Sequence, residues 1–313
     1  MFKLASKLLA LGCLVVIVVA VIVKISPRDA NNYMAAARDK HRLLYSIKSP
    51  RIILAGGSNV AFSVDGQKIA KRFGLPVINM GLHAGVGLRF MLNEIQPALK
   101  KGDIVIVFPE YENFSDLSLD GIPADLGMAI KFCPECASGV VSPQQAFNAA
   151  TGILQTAEGD LLRTMGKPEK TDRVYIRKGF NEWGDMVAHL NRPGKINIAG
   201  DVLSVRNTTF PNPAVDLLNS FYQSANAANA RVFFMFPGIP IEDDAQSQKK
   251  EFFAFYRLLT TSLEIPILGT PLDFFYPKKI FYDTHYHLQK NERAARTNRI
   301  IELLAPALQN NGN

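Results

Sequence analysis

The sequence predicts an α/β fold in which helices pack against a parallel β-sheet. Short apolar runs of strand length recur along the chain, and helical segments follow the early ones. The run Asp103–Phe108 is continuously apolar after its first residue, which is typical of a strand buried on both faces. Strands that alternate with helices indicate a doubly wound parallel sheet.

Residues typical of helix termini support several of the predicted elements. Gly74 and the Lys100-Lys101-Gly102 run mark helix C-termini, while Pro143 and Pro213 suit the first position of a helix. The predicted strands are Arg51–Ala55, Pro76–Met80, Asp103–Phe108, Arg231–Phe236 and Pro266–Leu268. The predicted helices are Asn31–Ile47, Gln67–Phe73, Leu88–Lys100, Ser142–Thr156, Asn212–Ala230, Glu251–Leu263 and Gln289–Leu308.

Three regions are predicted from these patterns. Residues 1–28 form an N-terminal membrane anchor, residues 29–49 a linker helix, and residues 50–313 the α/β domain. The alternation of strands and helices breaks between about 114 and 210, which indicates an insertion within that domain.

The N-terminal apolar run Leu8–Val23 has no charged residue over its 16 positions. As a helix it would extend about 24 Å at about 1.5 Å per residue. Lys7 and Lys24 can snorkel at its ends, so it can serve as a membrane span. It could be a cleaved signal peptide, but no A-x-A site follows it, which favours an uncleaved anchor. Lys3 and Lys7 favour a cytoplasmic N-terminus, which predicts a single-pass protein of the cytoplasmic membrane with an extracytoplasmic body.

Charge and cysteine usage limit the function further. The net charge is +7, and Lys3, Lys7 and Lys24 account for three of these charges, so nucleic-acid binding is not predicted. Cys133 and Cys136 fit a small-loop disulfide in an oxidising compartment. A redox pair, half of a zinc site and two unpaired thiols are the alternatives.

A serine and an acid–base pair form the candidate catalytic set. Ser58 follows a predicted strand and two glycines, which would present it at the carboxyl edge of the sheet. Asp283 and His287 precede the last helix. A serine hydroxyl needs a base to accept its proton, and a carboxylate on the other imidazole nitrogen orients that base. Alternatively, Ser58 simply caps the helix that follows it.

These motifs resemble those of the SGNH, or GDSL-like, hydrolases. Gly56–Asn59 looks like the first block of that family, and Asn79–Leu82 looks like the second. Asp283 with His287 looks like the fifth block. The resemblance is closest to the membrane-anchored branch related to alginate O-acetylation and teichoic-acid D-alanylation proteins. It implies a flavodoxin-like three-layer sandwich and an oxyanion hole made by the backbone N–H groups of Ser58 and Gly81, although Gly81 could serve turn geometry alone.

The chain departs from the family pattern at two places. The fifth block usually has Asp-x-x-His, whereas here the histidines are at 285 and 287, and the spacing in the anchored branch favours His287 as the base. The third block usually supplies an asparagine, but the third strand continues into Pro109 and Glu110. The second oxyanion donor therefore has no clear counterpart.

Other residues are candidates for substrate contact, and each has a structural alternative as a core, cap or loop residue. They are Asn59, His83, Glu110, Tyr111, Trp183 and Asp185. Asp283, His285 and His287 could together hold a metal, but no further ligand cluster is evident, so neither a metal nor a cofactor is predicted.

The predicted function is O-acyl chemistry on a cell-envelope glycan. Ser58 would form a covalent ester and act as an esterase or an acyltransferase on a polysaccharide, since hydrolysis and transfer use the same triad. The alternative is a non-catalytic accessory protein that binds other proteins of an envelope-polymer assembly, which the missing third-block asparagine favours.

Overall fold

The computed structural model describes residues 29–114, 116–166, 173–194, 204–205, 208–242 and 245–309. The predicted anchor at Leu8–Val23 lies outside these ranges. Within them, none of the helices combines the length and the apolar character needed to cross a membrane.

Four parallel strands form the central sheet, in the order β2-β1-β3-β4. Their bounds are β1 (Ile52–Gly56), β2 (Val77–Asn79), β3 (Ile104–Phe108) and β4 (Arg231–Phe234). Ile53 on β1 is in register with Ile78 on β2 and Val105 on β3. Every residue of β1 and β3 is buried, as their continuous apolar runs predict. The predicted α/β class with a parallel sheet is therefore confirmed.

The fifth predicted strand extends this sheet by a single bridge. Ile267 pairs in parallel with Phe234. The Phe234 N–H donates to the Pro266 carbonyl at 2.9 Å, and the Leu268 N–H donates to the Phe234 carbonyl at 2.9 Å. A separate two-stranded sheet, which the sequence patterns did not predict, consists of β5 (Ile239–Pro240) and β6 (Phe275–Tyr276).

The strand order places a topological switch between β1 and β3. From β1 the chain moves to β2 on one side, and it then returns to place β3 on the other side of β1. A crevice opens at such a point, outside the carboxyl ends of the strands, and open α/β sheets bind ligands there. Ser58 follows β1 and Glu110 follows β3, so both lie at this crevice.

Ten helices are described within these ranges. They are α1 (Ala36–Ser46), α2 (Ser58–Ser63), α3 (Gly66–Phe73), α4 (Leu88–Ile95), α5 (Asp116–Leu119), α6 (Pro123–Phe132), α7 (Pro143–Met165), α8 (Pro213–Ala227), α9 (Gln246–Ser262) and α10 (Lys290–Gln309). Short 3₁₀ segments connect several of them.

Helix α1, predicted as a linker, is packed into the domain. The buried Lys40 ammonium donates to the carbonyls of Asn79 at 2.8 Å and Gly184 at 2.6 Å. The Arg51 guanidinium donates to the carbonyl of Ile47, just after the helix, at 2.7 Å. These bonds satisfy buried polar groups and fix the helix to the edge of the sheet. Residues 29–49 therefore belong to the folded body.

The predicted insertion is mainly helical up to residue 165. Helices α6 and α7 pack closely together, and the Cys133–Cys136 disulfide lies just after α6. The later segment 173–194 is irregular and returns to the domain, where the Met186 N–H donates to the Ala61 carbonyl at 2.8 Å. This return brings insertion residues next to helix α2.

Candidate active site

Ser58 is the first residue of helix α2 and follows the Gly57 N-cap. A Cβ atom at position 57 would lie 2.5 Å from Glu110 Oε1, closer than real side chains approach. A side chain at position 57 would displace the Glu110 carboxylate, which packs against the backbone of the turn. The same packing brings that carboxylate next to the serine hydroxyl.

Glu110 is the direct partner of Ser58. The Ser58 hydroxyl donates to Glu110 Oε1 at 3.3 Å, and the Asn59 N–H donates to the same oxygen at 2.9 Å. Only 3% of Glu110 is exposed. Burial, followed by the negative charge of Glu112, raises the pKa of Glu110 to about 7, against the hydrogen bonds from Asn59 and Ser58. The carboxyl group is therefore poised to change charge near neutral pH.

Asp283 and His287 form the hydrogen-bonded pair that the sequence predicts. The distance from His287 Nδ1 to Asp283 Oδ1 is 2.8 Å. Tyr175, from the insertion, donates its hydroxyl to Asp283 Oδ2 at 2.8 Å and lies 3.1 Å from His287 Nδ1. Burial and the Asp283 carboxylate raise the pKa of Tyr175, which keeps its hydroxyl protonated as a donor. Two groups thus orient the imidazole from one side.

The imidazole has the electronic state that a general base needs. Burial lowers the pKa of His287 below its ordinary value, and this effect exceeds the opposing effect of Asp283. With Nδ1–H directed at Asp283, the neutral tautomer leaves a lone pair on Nε2. Nε2 is buried and has no hydrogen-bond partner among the described residues. It can therefore accept a proton from a group that enters the site.

Helix α2 connects the serine to this histidine. Phe62 lies one helical turn after Ser58, on the same face of the helix. Its ring stacks on the His287 ring, with centroids 3.8 Å apart and planes 7° apart. The Ser63 hydroxyl donates to the Tyr286 carbonyl at 2.7 Å and accepts from the Leu288 N–H at 2.8 Å. The segment that carries His287 is thus docked on the helix that carries Ser58.

One predicted oxyanion donor is already engaged. The Gly81 N–H donates to Asn79 Oδ1 at 2.9 Å, and Asn79 is itself held by Asp185 through its amide at 2.8 Å. The Ser58 N–H is in a different position, because it opens helix α2, where the helix provides no acceptor. The structure therefore offers Ser58, rather than Gly81, as the backbone donor.

Three candidates for substrate contact belong to the scaffold. Asn59 is fully buried, and its amide donates to the Phe108 carbonyl at 3.0 Å. Asp185 is also fully buried and accepts from the Arg293 guanidinium at 3.0 Å. The Tyr111 ring packs against Phe252 at a centroid distance of 4.6 Å. These side chains stabilise the fold beneath the site.

Two other candidates lie at its periphery. Trp183 is partly buried against the core, and its carbonyl accepts from the Asn79 N–H at 2.8 Å. The His83 side chain is 44% exposed and lies 3.4 Å from Asp125 Oδ2. Of the two, His83 has the exposure that a ligand contact requires.

His285 points to a different carboxylate from His287. Its Nε2 lies 3.1 Å from Glu112 Oε1, and the Tyr286 hydroxyl donates to the other oxygen of Glu112 at 2.6 Å. In the described part of the chain, the ligand atoms of Asp283, His285 and His287 do not converge on a common point. The geometry therefore separates the two histidines and gives no support to a metal at this position.

Comparisons with protein-family models and with curated proteins find no match to this chain. The resemblance to SGNH hydrolases accordingly remains a prediction from the sequence motifs.

Proposed function

We propose that the protein is a serine-dependent O-acyl esterase or acyltransferase that modifies a cell-envelope glycan. The observation that carries this proposal is the Asp283–His287 hydrogen bond together with the unpartnered Nε2 of His287, beside the helix that begins with Ser58. Acyl transfer by serine enzymes uses an oriented neutral imidazole together with a serine presented on a tight turn.

The fold supports the same proposal. The order β2-β1-β3-β4, extended by the parallel bridge at Ile267, is compatible with a flavodoxin-like three-layer sandwich of the SGNH type. In that arrangement the carboxyl ends of β1 and β3 border the ligand crevice. Ser58 and Glu110 occupy those two positions.

The proposed reaction begins with a rotation of the Ser58 hydroxyl from Glu110 towards His287 Nε2. The serine oxygen attacks the carbonyl carbon of an ester donor as its proton moves to Nε2, and the Ser58 N–H binds the developing oxyanion. His287 then protonates the departing alcohol oxygen, which leaves an acyl-serine. Water or a glycan hydroxyl next attacks this ester, with His287 taking its proton and returning one to Ser58. The general base would contribute about 10²- to 10⁴-fold in rate.

The glycan substrate and the extracytoplasmic location rest on the motif resemblance and on the predicted anchor at Leu8–Val23. A compartment-sensitive reporter fused after Asn313 tests this location. Activity of a reporter that functions only outside the cytoplasm supports it, whereas activity solely of a cytosolic reporter contradicts it.

Replacement of the nucleophile tests the catalytic proposal. Ser58→Ala should lower the rate of acetyl release from an aryl acetate or an acetylated glycan to a few percent of wild type or less, because the proposed reaction passes through an acyl ester on the Ser58 hydroxyl. The matched control is Ser46→Ala, which removes an exposed hydroxyl on α1 and should leave the rate unchanged. Wild-type activity in a folded Ser58→Ala protein would overturn the assignment.

A specific observation favours a second candidate, a non-catalytic binding protein of an envelope-polymer assembly. The Gly81 N–H is engaged by Asn79, and the Ser58 hydroxyl is engaged by Glu110. One oxyanion donor contributes about 3 kcal/mol, so a single open donor is a weaker site. Glycan binding by the wild-type chain without any acyl turnover, and with equal affinity in Ser58→Ala, would support this candidate.

A further inference from the structure

A second cluster of reactive side chains lies away from the candidate active site. His41 on α1, Cys133 at the end of α6 and Cys136 in the following turn bring one ligand atom each to within 4.8 Å of one another. Both cysteines are buried, and the His41 side chain is 16% exposed. The sequence shows only the Cys-x-x-Cys half of this cluster, since His41 is distant along the chain.

We propose that Cys133, Cys136 and His41 form a Zn²⁺ site when the disulfide is reduced. Two thiolates and one imidazole are ligands that zinc favours, and the two-residue gap between the cysteines is common in zinc sites. Tetrahedral zinc holds its sulfurs about 3.8 Å apart and a sulfur and a nitrogen about 3.5 Å apart. From its 4.8 Å limit the cluster needs the imidazole nitrogen to move at most about 1.3 Å towards the sulfurs, in addition to opening of the S–S bond.

The redox step requires a dithiol reductant. Its two thiols supply two electrons and two protons, the Cys133–Cys136 S–S bond breaks to give two thiols, and the reductant becomes a disulfide. Zinc then binds both sulfurs as thiolates and displaces their two protons to solvent. Disulfide and zinc therefore exclude each other at this position.

Glu94 gives the site a feature that a chance cluster lacks. Its buried carboxylate hydrogen-bonds His41 Nδ1, which leaves Nε2 as the metal-binding nitrogen. A metal-bound histidine almost always donates its other N–H to such a carboxylate, which fixes the ring orientation and strengthens its basicity. The second carboxylate oxygen, Oε2, is buried without a partner among the described residues.

The site would join three parts of the fold. His41 belongs to α1, Glu94 to α4, and both cysteines to the insertion. The disulfide links two residues only three positions apart, whereas a zinc ion would link the insertion directly to α1. Metal binding would therefore brace the insertion, which also supplies Tyr175 to the candidate active site.

Zinc binding to the full-length chain tests the proposal. The protein is reduced with a phosphine, freed of reductant without oxygen, incubated with ZnCl₂, desalted and analysed for zinc by elemental analysis. The reduced wild type should retain one zinc per chain, and the oxidised wild type should retain none. Glu94→Gln should weaken zinc binding about 10- to 100-fold, and His41→Ala should weaken it more. His83→Ala, an exposed histidine elsewhere, is the matched control and should bind as the wild type does.

A Co²⁺ titration of the unmutated chain keeps the test independent of variant folding. Reduction should produce a thiolate-to-cobalt charge-transfer band that the oxidised chain lacks. The proposal is overturned if reduced wild type retains no more zinc than Cys133→Ser, or if His41→Ala binds as tightly as wild type. It is also overturned if reduction produces no such band.

Discussion

Replacement of Glu110 by glutamine should change how the stability of the protein depends on pH. Glu110 is buried, and burial raises its pKa from an ordinary 4.5 to about 7. A shift of about 2.5 pKa units corresponds to roughly 3 kcal/mol, at about 1.4 kcal/mol per unit. A glutamine side chain at this position cannot ionise, yet its carbonyl oxygen can accept the same hydrogen bonds from Asn59 and Ser58.

The direction of the effect follows from proton binding. Between pH 4.5 and about 7, the unfolded chain has lost the Glu110 proton while the folded chain still holds it. The free energy of unfolding therefore falls as pH rises through this window. The stabilising contribution of the raised pKa is fully present below pH 4.5 and is lost by the time the pH exceeds about 7. From pH 5 to pH 8 the loss from Glu110 alone is about 2 to 3 kcal/mol.

Urea unfolding at a series of pH values measures this loss. Relative to wild type, Glu110→Gln should gain about 2 kcal/mol in free energy of unfolding between pH 5 and pH 8. Asp273→Asn is the control. Burial alone would raise the pKa of Asp273, but hydrogen bonds from Thr270 and Arg299 bring it below its ordinary 3.8, so the difference of this variant from wild type should stay constant across this range. A constant difference for Glu110→Gln would refute the assignment of a near-neutral buried carboxyl.

Two further predictions concern the proposed base. His287→Ala should lower kcat by about 10² or more, whereas His285→Ala should lower it far less, because His285 is paired with Glu112; similar losses in steady-state assays would contradict the assignment of His287. Tyr175→Phe should lower kcat about tenfold with little change in KM, because a hydrogen bond to the Asp283 carboxylate contributes roughly 1.5 to 3 kcal/mol. A rise in KM alone would instead assign Tyr175 to substrate binding.

The sheet could be predicted from the sequence because its strands are buried on both faces. The predicted strands at 51–55 and 103–108 differ by one residue at one or both ends from β1 (Ile52–Gly56) and β3 (Ile104–Phe108). Their apolar runs end at glycine, proline or charge, which fixes the boundaries. The predicted strand at 266–268 has the right position but is too long, since only the bridge between Ile267 and Phe234 forms there.

Helices were predicted less completely where packing overrides local preference. Helix α2 (Ser58–Ser63) is too short to show a helical period. Helix α6 is not predicted from the sequence. Glycines interrupt this region, and the structure shows why they are needed there. A Cβ atom at Gly127 in α6 would lie 2.3 Å from the backbone carbonyl carbon of Gly152 in α7, so the two helices pack too closely for any side chain there. Glycine weakens a helix locally, but close packing against the neighbouring helix requires it here.

Some residues of the candidate site could also be predicted from the sequence, and others could not. The Asp283–His287 pair is close in sequence, so its spacing could be recognised, and the structure shows the bond. Tyr175 lies 108 positions from Asp283 and carries no local signal that distinguishes it from other tyrosines. The contact between Ser58 and Glu110 depends on the pairing of β1 with β3, which a strand pattern does not specify. Only tertiary structure could assign these partners.

Covalent labelling of Ser58 tests the central claim most directly. A fluorophosphonate probe reacts with a serine only when a base activates the hydroxyl. Incubation of the full chain with this probe, followed by peptide mass spectrometry, should show the adduct at Ser58 in wild type and a strongly reduced adduct in His287→Ala. No adduct at Ser58, or equal labelling in His287→Ala, would contradict a serine nucleophile activated by His287.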